Sequence, residues 1–216
     1  MSDRSAFEDF AAKWRARWPE WAIAEVFVPA AQREVAAAWF ALLQEFADAA
    51  WGGSDPAPGL AKLAWWQEEL RGWAKGAHRH PLGSVLRPRP APWSALADAM
   101  PALRYRELPR EPGAALAVLE PLGAGCAGIE AVLFDAPTLA TGAVMTMLAG
   151  AAVDAGGAGA AAALRAGWTG GRAAAIPPRL RDQIVRRRLE AAATGAAWRP
   201  ATRWGTLWGS WRAARN

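Results

Sequence analysis

The sequence predicts an all-α fold, and three observations carry that expectation. Apolar residues recur at three- and four-residue steps, as at Val35, Trp39, Leu42, Phe46 and Ala49, the period of one buried helical face. No stretch alternates apolar and polar residues in the manner of a half-buried strand. Hydrophobic residues make up 53% of the 216, enough to fill the core of one domain. The expected architecture is a single bundle of antiparallel helices over residues 1–195, with a Trp/Arg-rich tail over 196–216.

Ser5 followed by Glu8 reads as a capping box, opening a helix with Phe7, Phe10, Trp14 and Trp18 on one stripe. Pro19 ends it, and Pro29 starts the second helix. The third element is the most strongly patterned: residues 56–81, with Leu60, Leu63, Trp66, Leu70 and Trp73 on the inner face. Asp55 caps its start, Gly76 ends it, and Lys75 sits where the helix dipole favours a cation. The tandem Trp65-Trp66 cannot face one way, so one indole points inward and the other outward.

The segment RPRPAP at 87–92 reads as a stiff linker, and a short helix follows from Trp93. Residues 114–134 are helical in pattern, with a break near Pro121. Residues 138–153 carry no charge and approach the length of a membrane span. Thr, Gly and Ala dominate there, which favours a tightly packed central helix instead. Weak helix signals at 160–165 precede a final helix introduced by Pro177-Pro178, with Leu180, Ile184, Val185 and Leu189 on its apolar face.

Net charge is +5, and the excess lies towards the C-terminal end, where Arg181, Arg186, Arg187, Arg188, Arg199, Arg203, Arg212 and Arg215 face only Asp182 and Glu190. Such a surface suits a nucleic acid, an anionic membrane or a diphosphate. A nucleic-acid binder built on Arg181 to Arg188 lacks a folded recognition motif, and nucleic acid is not the expected partner. In the tail, Trp204, Trp208 and Trp211 recur at four and three residues with Arg203, Arg212 and Arg215 around them. This composition fits an interfacial membrane segment or a terminal clasp docked on the domain. One cysteine, Cys126, excludes an internal disulfide framework and reads as a buried inert thiol. No signal peptide precedes Ser5, so the expected location is cytoplasmic, peripheral to the inner membrane if the tail is an anchor. His78 and His80 alternate in a turn without a third ligand nearby in sequence and read as a helix-end cap. The Gly-rich stretch 150–171 lacks both G-x-G-x-x-G and a phosphate-loop lysine.

The run Leu63, Trp65, Trp66, Glu69, Leu70, followed by Gly76, His80, Pro81, Leu82 and Leu86, resembles the third helix of the squalene/phytoene synthase family. Phe40, Glu45 and the Ser54-Asp55-Pro56 turn match the preceding helix, so the resemblance covers residues 27–86 and thins beyond them. It implies an isoprenoid-synthase-like bundle with an apolar cavity, here lined by Trp39, Leu42, Phe46, Trp66 and Met145. It also implies a Mg²⁺-dependent condensation of two prenyl diphosphates, the metal being held by aspartate pairs on facing helices. Carboxylates four apart share a helix face, and magnesium bound between them and a diphosphate neutralises the leaving group.

Against that pattern the acidic motifs are degenerate. The second helix offers Glu45 and Asp48, but Gln44 stands four before Asp48 and Gly52 four after. The late stretch TMLAGAAVDAGGA at 146–158 holds Asp154 alone. The substrate-holding arginine and tyrosine have no clear counterparts, and the single Tyr105 falls in a loop. Glu45, Asp48, Asp154 and His80 are therefore the candidate remnants of a metal and diphosphate site. The pattern looks equally like a divergent branch of the family, found among mitochondrial complex I assembly factors, that keeps the fold without the aspartates. The expected function is a non-catalytic member that binds an isoprenoid-like ligand or a protein partner. The alternative is an active prenyltransferase, for which magnesium would be the cofactor.

Overall fold

A computed structural model of the chain describes residues 3–105, 107, 111–137, 139–168, 175–195 and 202–215. Among them lie twelve α-helices, two short 3-10 turns and no strand, so the all-α expectation holds. The order is α1 (Asp3–Arg17), α2 (Trp21–Ala24), α3 (Ala30–Trp51), α4 (Pro56–Ala74), α5 (Gly83–Leu86) and α6 (Trp93–Ala99). Then follow α7 (Pro112–Val118), α8 (Glu120–Phe134), α9 (Ala140–Asp154), α10 (Ala158–Ala166), α11 (Ile176–Ala193) and α12 (Arg203–Arg215).

Two helices form the centre. In α3 almost every residue from Val35 to Ala50 is buried, the mark of a helix apolar on all sides. Around it pack α1, α4, α5, α8 and α9. The uncharged segment is indeed an internal helix: α9 is buried from Ala143 to Gly150 and packs on α3, α8, α10 and α11. Small residues make this possible, since at Gly123 of α8 the backbone of Ala140 lies where a β-carbon would stand. No single helix is long and apolar enough to cross a membrane among the described residues.

The punctuation works as chemistry predicts. Asp55 accepts the Ala57 N–H at 2.9 Å and caps α4, while Gly76, at φ 84°, takes the left-handed turn that ends this segment. Pro121 cannot donate a backbone hydrogen bond, and α7 and α8 meet there at 72°. Trp66 is buried and Trp65 partly exposed, as the tandem pair requires.

Three expectations need correction. Helix α1 already runs from Asp3, so Ser5 lies inside it and is no N-cap; the Glu8 carboxylate instead accepts from Arg4 Nε. Leu60 is exposed, because the inner stripe of α4 begins one turn later at Leu63. The described part of the tail, α12, is a helix packed on α11 and α2, yet Trp204 and Trp208 do not dock. Thr206, Gly209 and Ser210 face the domain, and Trp204 and Trp208 point into solvent.

Candidate functional site

Asp48 and Asp154, distant in sequence, come together in space. Asp48 sits in the last turn of α3 and Asp154 is the last residue of α9. Carboxylates at helix C-termini face the negative end of the dipole, so a cation is needed nearby. Arg17, itself the last residue of α1, supplies it. Its Nη1 lies 2.9 Å from Asp48 Oδ2 and its Nη2 2.5 Å from Asp154 Oδ2. Burial works against this guanidinium's charge, but Asp154 and Asp48 outweigh it and hold the pKa above the usual arginine value.

Gln44 completes the arrangement. Its Nε2 donates to Asp48 Oδ1 at 2.8 Å, and its Oε1 accepts from Trp18 Nε1 at 3.2 Å. The position four before Asp48, where a D-x-x-x-D pair would place a second carboxylate, thus holds an amide that bonds the first. Glu45, on the neighbouring face, pairs with Lys62 Nζ at 2.6 Å. These residues fit a magnesium cluster poorly: both oxygens of Asp48 are engaged, Asp154 is held by Arg17 and Glu45 by Lys62, and both cations repel an incoming one. Among the described residues no group of three or more His, Cys, Asp and Glu side chains is placed to hold a metal ion.

His80 belongs to a different corner, the turn after α4. Its ring meets Trp66 at 4.6 Å and Phe10 at 4.9 Å, and Nδ1 accepts the Leu82 N–H at 3.2 Å. Burial lowers its pKa to about 4, Lys62 pushing the same way and Glu69 opposing, so the imidazole is neutral at pH 7. The centre of this corner is Glu69, whose carboxylate accepts from the backbone N–H groups of Arg79 and His80, from Trp73 Nε1 and from Arg79 Nε. The W-W-x-x-E-L and H-P-L segments are therefore joined by one buried acid that folds the turn back onto α4.

The apolar set lies in one continuous core. Trp39, Leu42, Phe46, Trp66 and Met145 are all buried; Phe46 meets Trp66 edge-on at 5.7 Å, and Trp39 meets Trp93 at 6.5 Å. Trp39 Nε1 also donates to Glu130 Oε1 at 2.9 Å. Glu130, Arg181 and Asp182, with Phe40 and Thr146, line a partly open pocket that reaches the surface beside Leu139 and whose water-accessible space is about 10 Å³, room for roughly one water. Arg181 is buried over the Phe40 ring at 5.0 Å. Burial raises the Glu130 carboxyl to about 7, Trp39 and Arg181 opposing. Burial and the neighbouring Glu130 raise Asp182 to about 7 as well. Cys126 behind them is fully buried, and its thiol is pushed far up.

Two carboxyls beside one guanidinium make stability fall as pH rises. Between the ordinary carboxylate range and about pH 7 the folded state holds protons that the unfolded chain has lost. Glu130→Gln removes one of these acids, keeps an acceptor for Trp39 and leaves Asp182 within the field of the Arg181 charge. Its stability relative to the parent should therefore rise by about 2 kcal/mol from pH 5 to pH 8. Parallel urea unfolding curves at the two pH values measure this; a constant difference between the proteins would refute it.

Arg17, Lys62, Gln44, Glu69 and the Glu130 chamber were not among the candidate site residues. Glu130 had a signal, being the only charge between Glu120 and Asp135 in an otherwise apolar helix. Arg17 had none beyond its place at the end of α1. The arginines of α11 are not a free basic surface: Arg181 and Arg188 are buried, and Arg187 donates to the Gly205 carbonyl at 3.0 Å. Comparison of the chain with protein-family models, with curated proteins and with solved structures finds no match.

Proposed function

We propose that this chain is a divergent squalene/phytoene synthase homologue that keeps the helical shell, has lost the metal-dependent chemistry, and acts by binding an isoprenoid-like ligand or a protein partner. The observation that carries the reading is the convergence of Asp48 and Asp154 on Arg17. The ends of α3 and α9 are where the resemblance expects two acidic motifs to face one another across magnesium. Each of those helix ends keeps one acid, and a guanidinium stands between them in place of the metal. The Gln44 to Asp48 hydrogen bond supports the same reading, since it replaces a repulsive carboxylate pair with an attractive one. The half-exposed Arg17 guanidinium already neutralises the two carboxylates that would hold the metal and repels an incoming cation, so binding without turnover is expected.

Two measurements test this. Incubation with farnesyl or geranylgeranyl diphosphate and Mg²⁺ should give no condensed hydrocarbon; a squalene- or phytoene-like product would establish the prenyltransferase alternative. Arg17→Met exposes Asp48 and Asp154 to each other, and about 10 mM Mg²⁺ should then raise Tm by about 3 °C, while the parent shows no shift. If Mg²⁺ affects both proteins equally, the guanidinium is not occupying a metal's position.

A further inference from the structure

We propose that α12 seats the protein on an anionic lipid surface, with Trp204 and Trp208 entering the interfacial layer and Arg203, Arg212 and Arg215 meeting the headgroups. The proposal rests on the outer face of α12 and not on the carboxylates around Arg17, so either reading survives the failure of the other.

The helix is built with two dissimilar faces. Its inner side is small: Thr206, Gly209 and Ser210 are buried, and a β-carbon at Gly209 would collide with Gln183 and Arg187 of α11. Arg187 donates to the Gly205 carbonyl and Arg179 to the Ala214 carbonyl, at 3.0 and 3.3 Å, which fixes the helix at both ends. Large side chains on this side would prevent such close approach. The indoles therefore lie elsewhere, and they are not there to fill the core.

On the outer side Trp204 is 80% exposed and Trp208 61% exposed. Leaving two indoles in water is unfavourable for an isolated domain, and indoles are favoured where an apolar layer meets a wet one. Trp208 stacks on Trp211 at 4.9 Å, and Arg215 lies over Trp211 at 4.7 Å. These residues and Arg212 line one shallow groove. The helix contains three arginines and no acid, so its face is purely cationic. Cations beside protruding indoles on a helix pinned to a folded body complement an anionic bilayer. Nucleic acid is the weaker fit, because Arg181 and Arg188 of the adjacent helix are buried and unavailable to phosphates.

The test uses the full chain and vesicles of phosphatidylcholine alone or mixed with phosphatidylglycerol, read by co-sedimentation. Binding is expected to the mixed vesicles, to weaken as salt is raised, and to be slight with phosphatidylcholine alone. Trp204→Ser/Trp208→Ser should lower the binding constant at least about tenfold. Arg212→Gln/Arg215→Gln should lower it about thirtyfold on the anionic vesicles only. Both pairs are at the surface, so unchanged circular dichroism and Tm would show that folding is intact. The proposal is overturned if the parent ignores both kinds of vesicle or if the tryptophan pair binds as the parent does. It is equally overturned if vesicles are ignored while duplex DNA is bound, or if the exposed indoles prove instead to hold a dimer in sedimentation equilibrium.

Discussion

Glu69→Ala should lower the unfolding free energy by about 4 kcal/mol, measured by denaturant titration at pH 7 with the slope unchanged. The side chain is only 1% exposed and accepts from four donors, three of them in the turn that follows α4. Alanine strands the N–H groups of Arg79 and His80 and the Trp73 indole together, and each buried donor left without an acceptor costs about 1–3 kcal/mol. Glu69→Gln should be intermediate, because its amide retains one accepting oxygen but turns an N–H towards donors. The pH dependence adds a second reading of the same group. Burial raises the Glu69 carboxyl, yet the hydrogen bonds from Arg79, His80 and Trp73 prevail and hold it below the usual carboxylate range. Its contribution is therefore complete above that range and is lost as pH falls through the lowered folded value. The Gln variant should show a shallower loss of stability on acidification than the parent. An alanine variant costing less than about 1 kcal/mol would mean that the turn is held by other contacts.

How far sequence reading reached follows from the range of the forces involved. Helix periodicity, caps and proline breaks are local, and so α3, α4, the bend at Pro121 and the buried α9 were all legible. The inward Trp66 and outward Trp65 were legible for the same reason. Asp48 and Asp154 were visible as isolated acids, but that they share Arg17 depends on how three helices end beside one another. Nothing local announces that arrangement. The tail is the instructive failure: its aromatic stripe was plain, but which face docks is decided by Gly209 and its neighbours on α11, not by the tryptophans. Similarly, the α11 arginines read as a basic surface, and only packing reveals that Arg188 is internal.

Arg188→Met should destabilise the protein by about 3–5 kcal/mol, because it leaves a buried acid without its cation. Arg188 and Glu20 are 9% and 6% exposed, joined by Nε to Oε1 at 3.0 Å and Nη2 to Oε2 at 2.6 Å. The guanidinium also lies over Trp18 at 4.0 Å, and Nη2 donates to the Arg17 carbonyl at 2.9 Å. One side chain thus ties α11 to the corner between α1 and α2. Methionine keeps the aliphatic bulk against Trp18, so the loss isolates charge and hydrogen bonding. Glu20→Leu in the same chain removes the stranded carboxylate and should restore at least about 2 kcal/mol, the non-additive signature of a buried pair. The Arg17 carbonyl gives the variant a second, remote consequence. Without Arg188 the end of α1 is held less firmly, and with it the guanidinium that Asp48 and Asp154 share. Amide exchange at the end of α1 should therefore quicken in Arg188→Met beyond what the global loss of stability explains. If exchange there merely tracks global unfolding, the clamp on the two aspartates does not depend on α11.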